Sequence, residues 1–139
     1  MADLKETSIA LLSSTSVTMG TNANGTKQIL YSVPYGKDCV ITEVVVRNPN
    51  ADLDGCNDVD FGVGAACATI AFLNNVTVIG DQLATTVDGL VLRVATTVAY
   101  KVIDGSDATA ANREFGIYIV SGATGAAYTA TIDVFGYLF

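Results

Sequence analysis

The residues best suited to chemistry are four carboxylates within one short stretch: Asp52, Asp54, Asp58 and Asp60. The segment Asn50–Gly55 resembles the first half of an EF-hand calcium loop, in which oxygen ligands alternate and a glycine makes the bend. Asp58 falls at the ninth position of such a loop, but Phe61 occupies the twelfth, where a bidentate Glu is needed. We expect a solvated loop here, and a looser calcium site built from the four aspartates is the alternative.

Asp104, Asp107 and Glu114 form a second acidic group, for which a solvated loop is again the expectation. The residue types and motifs that catalysis and cofactor binding commonly need are missing. The chain has no histidine, which removes the usual general base at neutral pH and the commonest metal ligand. Serine and cysteine triads that depend on histidine are therefore excluded within one chain. The run Gly62-Val63-Gly64 lacks the third glycine of a dinucleotide-binding motif, and no phosphate-binding P-loop occurs. We expect no cofactor and no enzymatic activity.

Composition indicates one domain whose surface is partly covered by other protein. The 139 residues suit a single domain, with residues 1–7 as a loose N-terminal arm. Half of the residues are hydrophobic, only 15% are charged, and the mean hydropathy is +0.44. A charged share of about a quarter is usual, so we expect copies of the chain or a partner to cover apolar surface.

Charge and cysteine usage narrow the possible partners and the compartment. A net charge of −7 disfavours direct contact with nucleic acid, and no apolar run is long enough for a membrane-spanning helix. The odd number of cysteines and the absence of a CxxC spacing indicate free thiols made in a reducing cytoplasm. We expect Cys56 to be reactive because it lies in a polar loop, and Cys39 and Cys67 to be protected by apolar neighbours.

The elements that must position these residues are organised around Gln28–Asn48. Gln28–Val33 reads as a strand, Pro34–Lys37 as a type II turn, and Cys39–Asn48 as a longer strand. Period-two alternation places Val40, Thr42, Val44 and Val46 on a core face. It places Cys39, Ile41, Glu43, Val45 and Arg47 on a second, partly wet face, where Glu43 and Arg47 would form a charge pair. The Asn24-Gly25 pair signals a hairpin, so Val17–Asn48 would form three sequential antiparallel strands.

The same stretch carries a resemblance to known proteins. The residues that carry it are Leu30-Tyr31-x-Val33-Pro34-x-Gly36-Lys37 and Ile41-x-x-Val44-x-Val46-x-Asn48. The pattern resembles a segment of small β-rich virion proteins of tailed bacteriophages, above all head decoration (cement) proteins. The resemblance covers roughly 20 residues and implies a virion structural role, a homotrimer, and contact with the major capsid protein or another virion protein. It carries no catalytic or binding residue onto this chain.

The rest of the pattern predicts an all-β fold. Seven to nine short strands with frequent turn signals favour an antiparallel β-sandwich or jelly roll. Phe115, Ile117 and Ile119 share one strand face, opposite Gly116, Tyr118 and Val120. At most one or two short helices are expected, most readily within Ala65–Leu73.

The C-terminal strand suggests an interaction surface. Ala130, Ile132, Val134 and Leu138 share one face of this strand. The opposite face concentrates aromatic side chains in the last five residues: Phe135, Tyr137 and Phe139. Exposed strands rarely carry such a group, so we expect these residues, with Ile41 and Val45, to lie against a neighbouring subunit or a capsid surface.

The apolar excess, the missing catalytic residues and the β pattern favour a non-enzymatic structural protein. The resemblance implies that it is a virion protein, made in the bacterial host cytoplasm and acting as a capsid decoration protein. A second reading is a carbohydrate- or cell-surface-binding module of a phage fibre, although the chain lacks the Trp platforms usual in sugar sites. A third reading is a tail-tube or connector component, since those proteins also use β-sandwich folds.

Overall fold

The structure is a computed structural model that describes residues 9–78, 89–94 and 102–139. Its nine strands are β1 (Ala10–Thr18), β2 (Thr26–Ser32), β3 (Cys39–Arg47), β4 (Asp58–Val63), β5 (Ile70–Val76), β6 (Gly89–Arg93), β7 (Val102–Ile103), β8 (Glu114–Ser121) and β9 (Thr129–Leu138). Helical structure in these ranges is confined to three 3-10 turns, at Thr21–Ala23, Ala65–Cys67 and Ala110–Arg113. The expected all-β class is confirmed.

Two antiparallel sheets pack face to face as a sandwich. The first sheet has the strand order β1-β9-β3-β6, and β7 also pairs with β3. The second sheet has the order β2-β8-β4-β5. The core between them includes Phe115, whose ring centroid lies 5.3 Å from Phe72 in an edge-on contact and 6.4 Å from Phe61. Such aromatic pairs stabilise a core beyond the area that they bury.

The alternation predicted for the last two strands is confirmed. Phe115, Ile117 and Ile119 of β8 are fully buried in the core. In β9, Ala130, Ile132 and Val134 are buried in the core and Leu138 packs against it. Neither β8 nor β9 has an extra residue between its inward-facing side chains. Strict alternation therefore predicts their faces correctly.

The face assignment of β3 is correct after Thr42 and wrong for Cys39, Ile41 and Thr42, and a β-bulge is the reason. Ile41 pairs with Gly136 and Glu43 pairs with Phe135, so Thr42 is an extra residue in the ladder. A bulge of this kind shifts the alternation by one position. Cys39 and Ile41 therefore join Val44 and Val46 in the core. Ile41 is fully buried and does not lie on the exposed face with Val45.

The three sequential strands expected in Val17–Asn48 are also wrong. β1 pairs with β9, β2 with β8, and β3 with β9, so consecutive strands lie in opposite sheets. The turn at Gly25 has the expected positive φ of 76°, but it connects the two sheets. The Gln28 side chain links the strands instead: it accepts a hydrogen bond from the Thr18 amide at 2.8 Å and donates one to the Thr18 carbonyl at 2.7 Å.

The segment Ala65–Leu73 divides between two structures. Ala65–Cys67 forms a 3-10 turn, and strand β5 begins at Ile70, so β4 and β5 form a hairpin in the second sheet. The expected helix is thus limited to this single turn. The N-terminal arm expected for residues 1–7 lies outside the described residues.

The bulge in β3 makes a testable prediction. We expect Ile41→Ala to lower the free energy of unfolding by about 2–5 kcal/mol, because it leaves a cavity in a closed core. Val45→Ala is the matched control on the same strand and should cost about 1 kcal/mol or less, because Val45 lies on the outward face. Urea unfolding of the two variants measures the difference. Equal costs would place both residues on one face and contradict the bulge.

Candidate functional site

The four aspartates of the sequence-based metal site lie along a loop and a strand. Asp52 and Asp54 are exposed, whereas Asp58 and Asp60 lie on β4 and alternate with buried residues. Backbone hydrogen bonds hold the loop, among them Thr124 N–H to the Asp54 carbonyl at 2.9 Å. In the part of the chain that the structure describes, no three acidic, Cys or His side chains lie together as metal ligands.

The outer face of the first sheet, which points away from the second sheet, is the more distinctive surface. Strand register arranges its side chains in rows that run across β6 or β7, β3, β9 and β1. One row contains Val102, Val40 and Tyr137, and the next contains Arg93, Glu43, Phe135 and Leu11. The two rows that follow contain Val91, Val45, Asp133 and Ser14, and then Gly89, Arg47, Thr131 and Ser16.

One half of this outer face is apolar. We call it the apolar half, and its members are Leu11, Val40, Val102, Phe135, Tyr137 and Phe139. Leu11 is 54% exposed, Val102 41% and Phe139 55%. The rings of Tyr137 and Phe139 lie 6.0 Å apart, which places both on the same side of the sheet. Val40 is only 3% exposed, and Glu43 and Arg93 lie in the same row as Phe135 and Leu11. A group of exposed apolar side chains of this kind is a candidate interaction site.

The exposed C-terminal aromatic is held in place by the sheet. The Phe139 amide donates to the Asp38 carbonyl at 2.9 Å, and the Asp38 amide donates to the Phe139 carbonyl at 3.0 Å. This pair of hydrogen bonds extends the β3–β9 ladder beyond Leu138. The backbone of Phe139 is therefore ordered although its ring is more than half exposed.

The other half of the outer face, which we call the polar half, centres on an ion pair between β3 and β9 that is also hydrogen-bonded to β1. The Asp133 carboxylate of β9 accepts a hydrogen bond from Arg47 Nε of β3 at 2.6 Å and another from Ser14 Oγ of β1 at 2.6 Å. Arg47 Nη2 lies 3.2 Å from both Asp133 Oδ1 and Ser14 Oγ. Hydrogen bonds from Arg47 lower the pKa of Asp133 below its usual value, against the opposing effect of burial, and Ser14 adds to the lowering.

The outer face of the second sheet differs because the chain itself covers part of it. Lys27 extends over Gly116, and its Nζ donates to the Gly64 carbonyl at 3.0 Å and to the Glu114 carbonyl at 2.8 Å. The 3-10 turn Ala65–Cys67 lies over Gly62, where a β-carbon would overlap the Cys67 carbonyl oxygen. Glycine at these two positions lets the chain approach the sheet closely.

Charge also separates the two sides of the molecule. The described residues on the outer face of the first sheet include two acids, Glu43 and Asp133, and two bases, Arg47 and Arg93. Their formal charges cancel, so the net charge of −7 belongs to the rest of the chain. The outer face of the first sheet is thus a neutral, half-apolar surface on an acidic protein.

The structure brings together most of the interface residues that the sequence suggests. Phe135, Tyr137, Phe139 and Val45 share the outer face, and Ile41 does not. Sequence reasoning missed Leu11. A bulge at Leu12 shifts the alternation of β1, so that Leu11 lies on the outer face opposite Phe135. It also paired Arg47 with Glu43 on one strand face, whereas the ion pair of Arg47 is with Asp133 on the neighbouring strand.

All three thiols are buried, so the expectation that Cys56 is reactive is wrong. The polar loop folds inward at Leu53 and Cys56, which both join the core. Burial raises the pKa of Cys39 to about 12, and those of Cys56 and Cys67 to about 11. A thiol with a raised pKa carries little thiolate at neutral pH, and the thiolate is the reactive form.

We predict a pH-dependent contribution from Asp133. Asp133→Asn should lower the free energy of unfolding at neutral pH, because Arg47 and Ser14 lose an ionised acceptor. Since the folded pKa of Asp133 is lowered, its stabilising effect is complete above the usual Asp value of about 4 and is lost as the pH falls through the folded pKa.

Urea unfolding at a series of pH values tests this prediction. The difference between the wild type and Asp133→Asn should narrow on acidification. Asp52→Asn, on the exposed loop, is the control and should unfold like the wild type throughout. A constant difference down to the lowest pH at which the protein folds would contradict the role of the carboxylate charge.

We also predict that the native protein reacts slowly with thiol reagents at all three cysteines. Burial both hides the sulfur atoms and raises their pKa values, so labelling requires local or global opening. Intact-mass kinetics with and without urea measure this, and urea should accelerate all three reactions. Rapid labelling of Cys56 in the folded protein would contradict the buried loop.

Comparison with known proteins gives no information on this surface. Comparison with protein-family models, with curated proteins and with solved structures found no match to this chain. Within the described ranges, no helix is long and apolar enough to cross a membrane. The functional argument therefore depends on the exposure, charge and hydrogen bonding of the outer face.

Proposed function

We propose that this protein is a non-enzymatic structural protein of a tailed-phage particle, where it acts as a decoration protein on the head. Its proposed partners are further copies of itself and the major capsid protein or another virion protein. It would be made in the bacterial host cytoplasm and end in the virion. The phage setting and the trimeric state come from the resemblance in Leu30–Asn48 alone.

The observation that carries the proposal is the outer face of the first sheet. Its apolar half exposes Leu11, Val102 and Phe139, and the backbone of Phe139 is hydrogen-bonded in place. Exposed aromatic and aliphatic groups on a rigid sheet are the usual anchors of protein–protein contacts. This favours a protein that works through assembly.

The known chemistry of the chain is consistent with such a role. The absence of histidine removes the commonest acid–base catalyst, and the buried thiols have raised pKa values that disfavour nucleophilic use. Arg47 and Asp133 neutralise each other, and Ser14 on a third strand donates a hydrogen bond to Asp133. These residues therefore hold strands together, which favours a structural role for the polar half.

Localisation on intact particles tests the proposal. Gold-labelled antibody raised against the protein should bind at the outer surface of phage heads, and antibody absorbed with the purified protein is the control. Label on the tail tube would support a tail component instead. Label at fibre tips would support a receptor-binding module, and absence of label from particles would reject a virion role.

A binding assay links the proposal to the outer face. Phe135→Ser combined with Tyr137→Ser should fold but bind head shells that lack the protein at least about tenfold more weakly, because this face holds copies of the chain together in the proposed assembly and separate copies lose its avidity for the shell. Tyr118→Ser combined with Val120→Ser, on the outer face of the second sheet, is the matched control and should bind normally. Circular dichroism verifies the fold of each variant, and equal binding by both would refute the assignment of the face.

A further inference from the structure

The occupant of the outer face follows from its charge and its apolar half taken together. We infer that a second copy of this chain covers the outer face of the first sheet, with the apolar half of one copy packed against that of the other. Such a contact between identical faces joins two copies, so it stands in place of the trimer that the resemblance implies. This inference rests on the proposed structural function, because it names the partner for the surface that carries that function.

Charge favours a second copy over a partner of opposite sign. Two chains that each carry −7 repel one another at any contact made through their acidic surfaces. Contact through the outer face of the first sheet adds no net charge, since Glu43, Asp133, Arg47 and Arg93 cancel. A basic partner would gain more from the acidic remainder of the molecule than from this neutral face.

The ion pair of the polar half can be covered without leaving either of its two charges unpaired. Both oxygens of the Asp133 carboxylate accept hydrogen bonds within the chain, from Arg47 and from Ser14. A desolvated charge is costly unless it is paired and hydrogen-bonded, and this pair already is. The Arg47–Asp133 pair therefore needs no complementary ion from a partner, so an identical surface can cover it.

The area of the face is sufficient for a specific contact between two copies. The ten residues of β9 extend for about 33 Å, and four strands at a spacing of about 4.8 Å span roughly 19 Å. The face thus measures about 600 Å² per copy and about 1,200 Å² for two, which reaches the size of specific interfaces. Sheets packed in this way lie about 10 Å apart, and their side chains interdigitate.

Sedimentation velocity over a micromolar to sub-millimolar range tests this inference on the full chain. The wild type should sediment as an assembly of two or more copies. Leu11→Glu combined with Val91→Glu adds like charges to the outer face of the first sheet, at positions 54% and 52% exposed in one chain. This variant should keep its fold and associate at least roughly 100-fold more weakly, because facing like charges repel.

The second sheet offers a matched control with the same added charge. Ile29→Glu combined with Val120→Glu replaces apolar residues that are 48% and 43% exposed, and it should assemble like the wild type. A wild-type protein that stays monomeric throughout overturns the inference, and so does an equal effect of the two double variants.

Antibody label on phage heads would still support the proposed function in that case. Face-dependent assembly without any label on particles would instead reject the proposed function.

Discussion

The pairing of β3 with β9 at the centre of the first sheet is the constraint on which the rest of the structure depends. Gly136 allows it, because a side chain there would overlap the Val40 carbonyl oxygen. The bulge at Thr42 then lets β3 bury Ile41 on one side of the bulge and Val44 on the other. From one face this ladder supplies Ile41, Val44, Ile132 and Val134 to the core, among others. From the other face it aligns the rows of side chains that make the candidate interaction surface.

The alternation of consecutive strands between the two sheets gives the sandwich its asymmetry. β1 and β3 belong to the first sheet and β2 to the second. Their inward residues therefore meet in the core, and most of their outward residues lie on opposite surfaces of the sandwich. On the second sheet, Lys27 and the turn Ala65–Cys67 cover part of the outward surface. On the first sheet, the ion pair of Arg47 and Asp133 joins strands without covering the aromatic residues beside it.

The proposed assembly function depends on this asymmetry. A sandwich with an acidic remainder and one neutral, half-apolar face can stay soluble as a single chain and still have one preferred direction of contact. Order at the C-terminus strengthens that surface, since Phe139 is held by Asp38 and needs little further ordering on binding. Pre-ordered aromatic groups lose less conformational entropy when a partner covers them.

The sequence by itself determined the all-β class, the type II turn at Gly36, and the faces of β8 and β9, because unbroken alternation and turn chemistry are local properties. It therefore located the aromatic side chains of the candidate surface. Only the tertiary structure decided the pairing of strands, the bulges at Leu12 and Thr42, and the burial of Cys56. Each of these depends on contacts between residues far apart in the chain. A bulge also inverts every face that follows it, so alternation read from one strand alone assigned Ile41 to the wrong side.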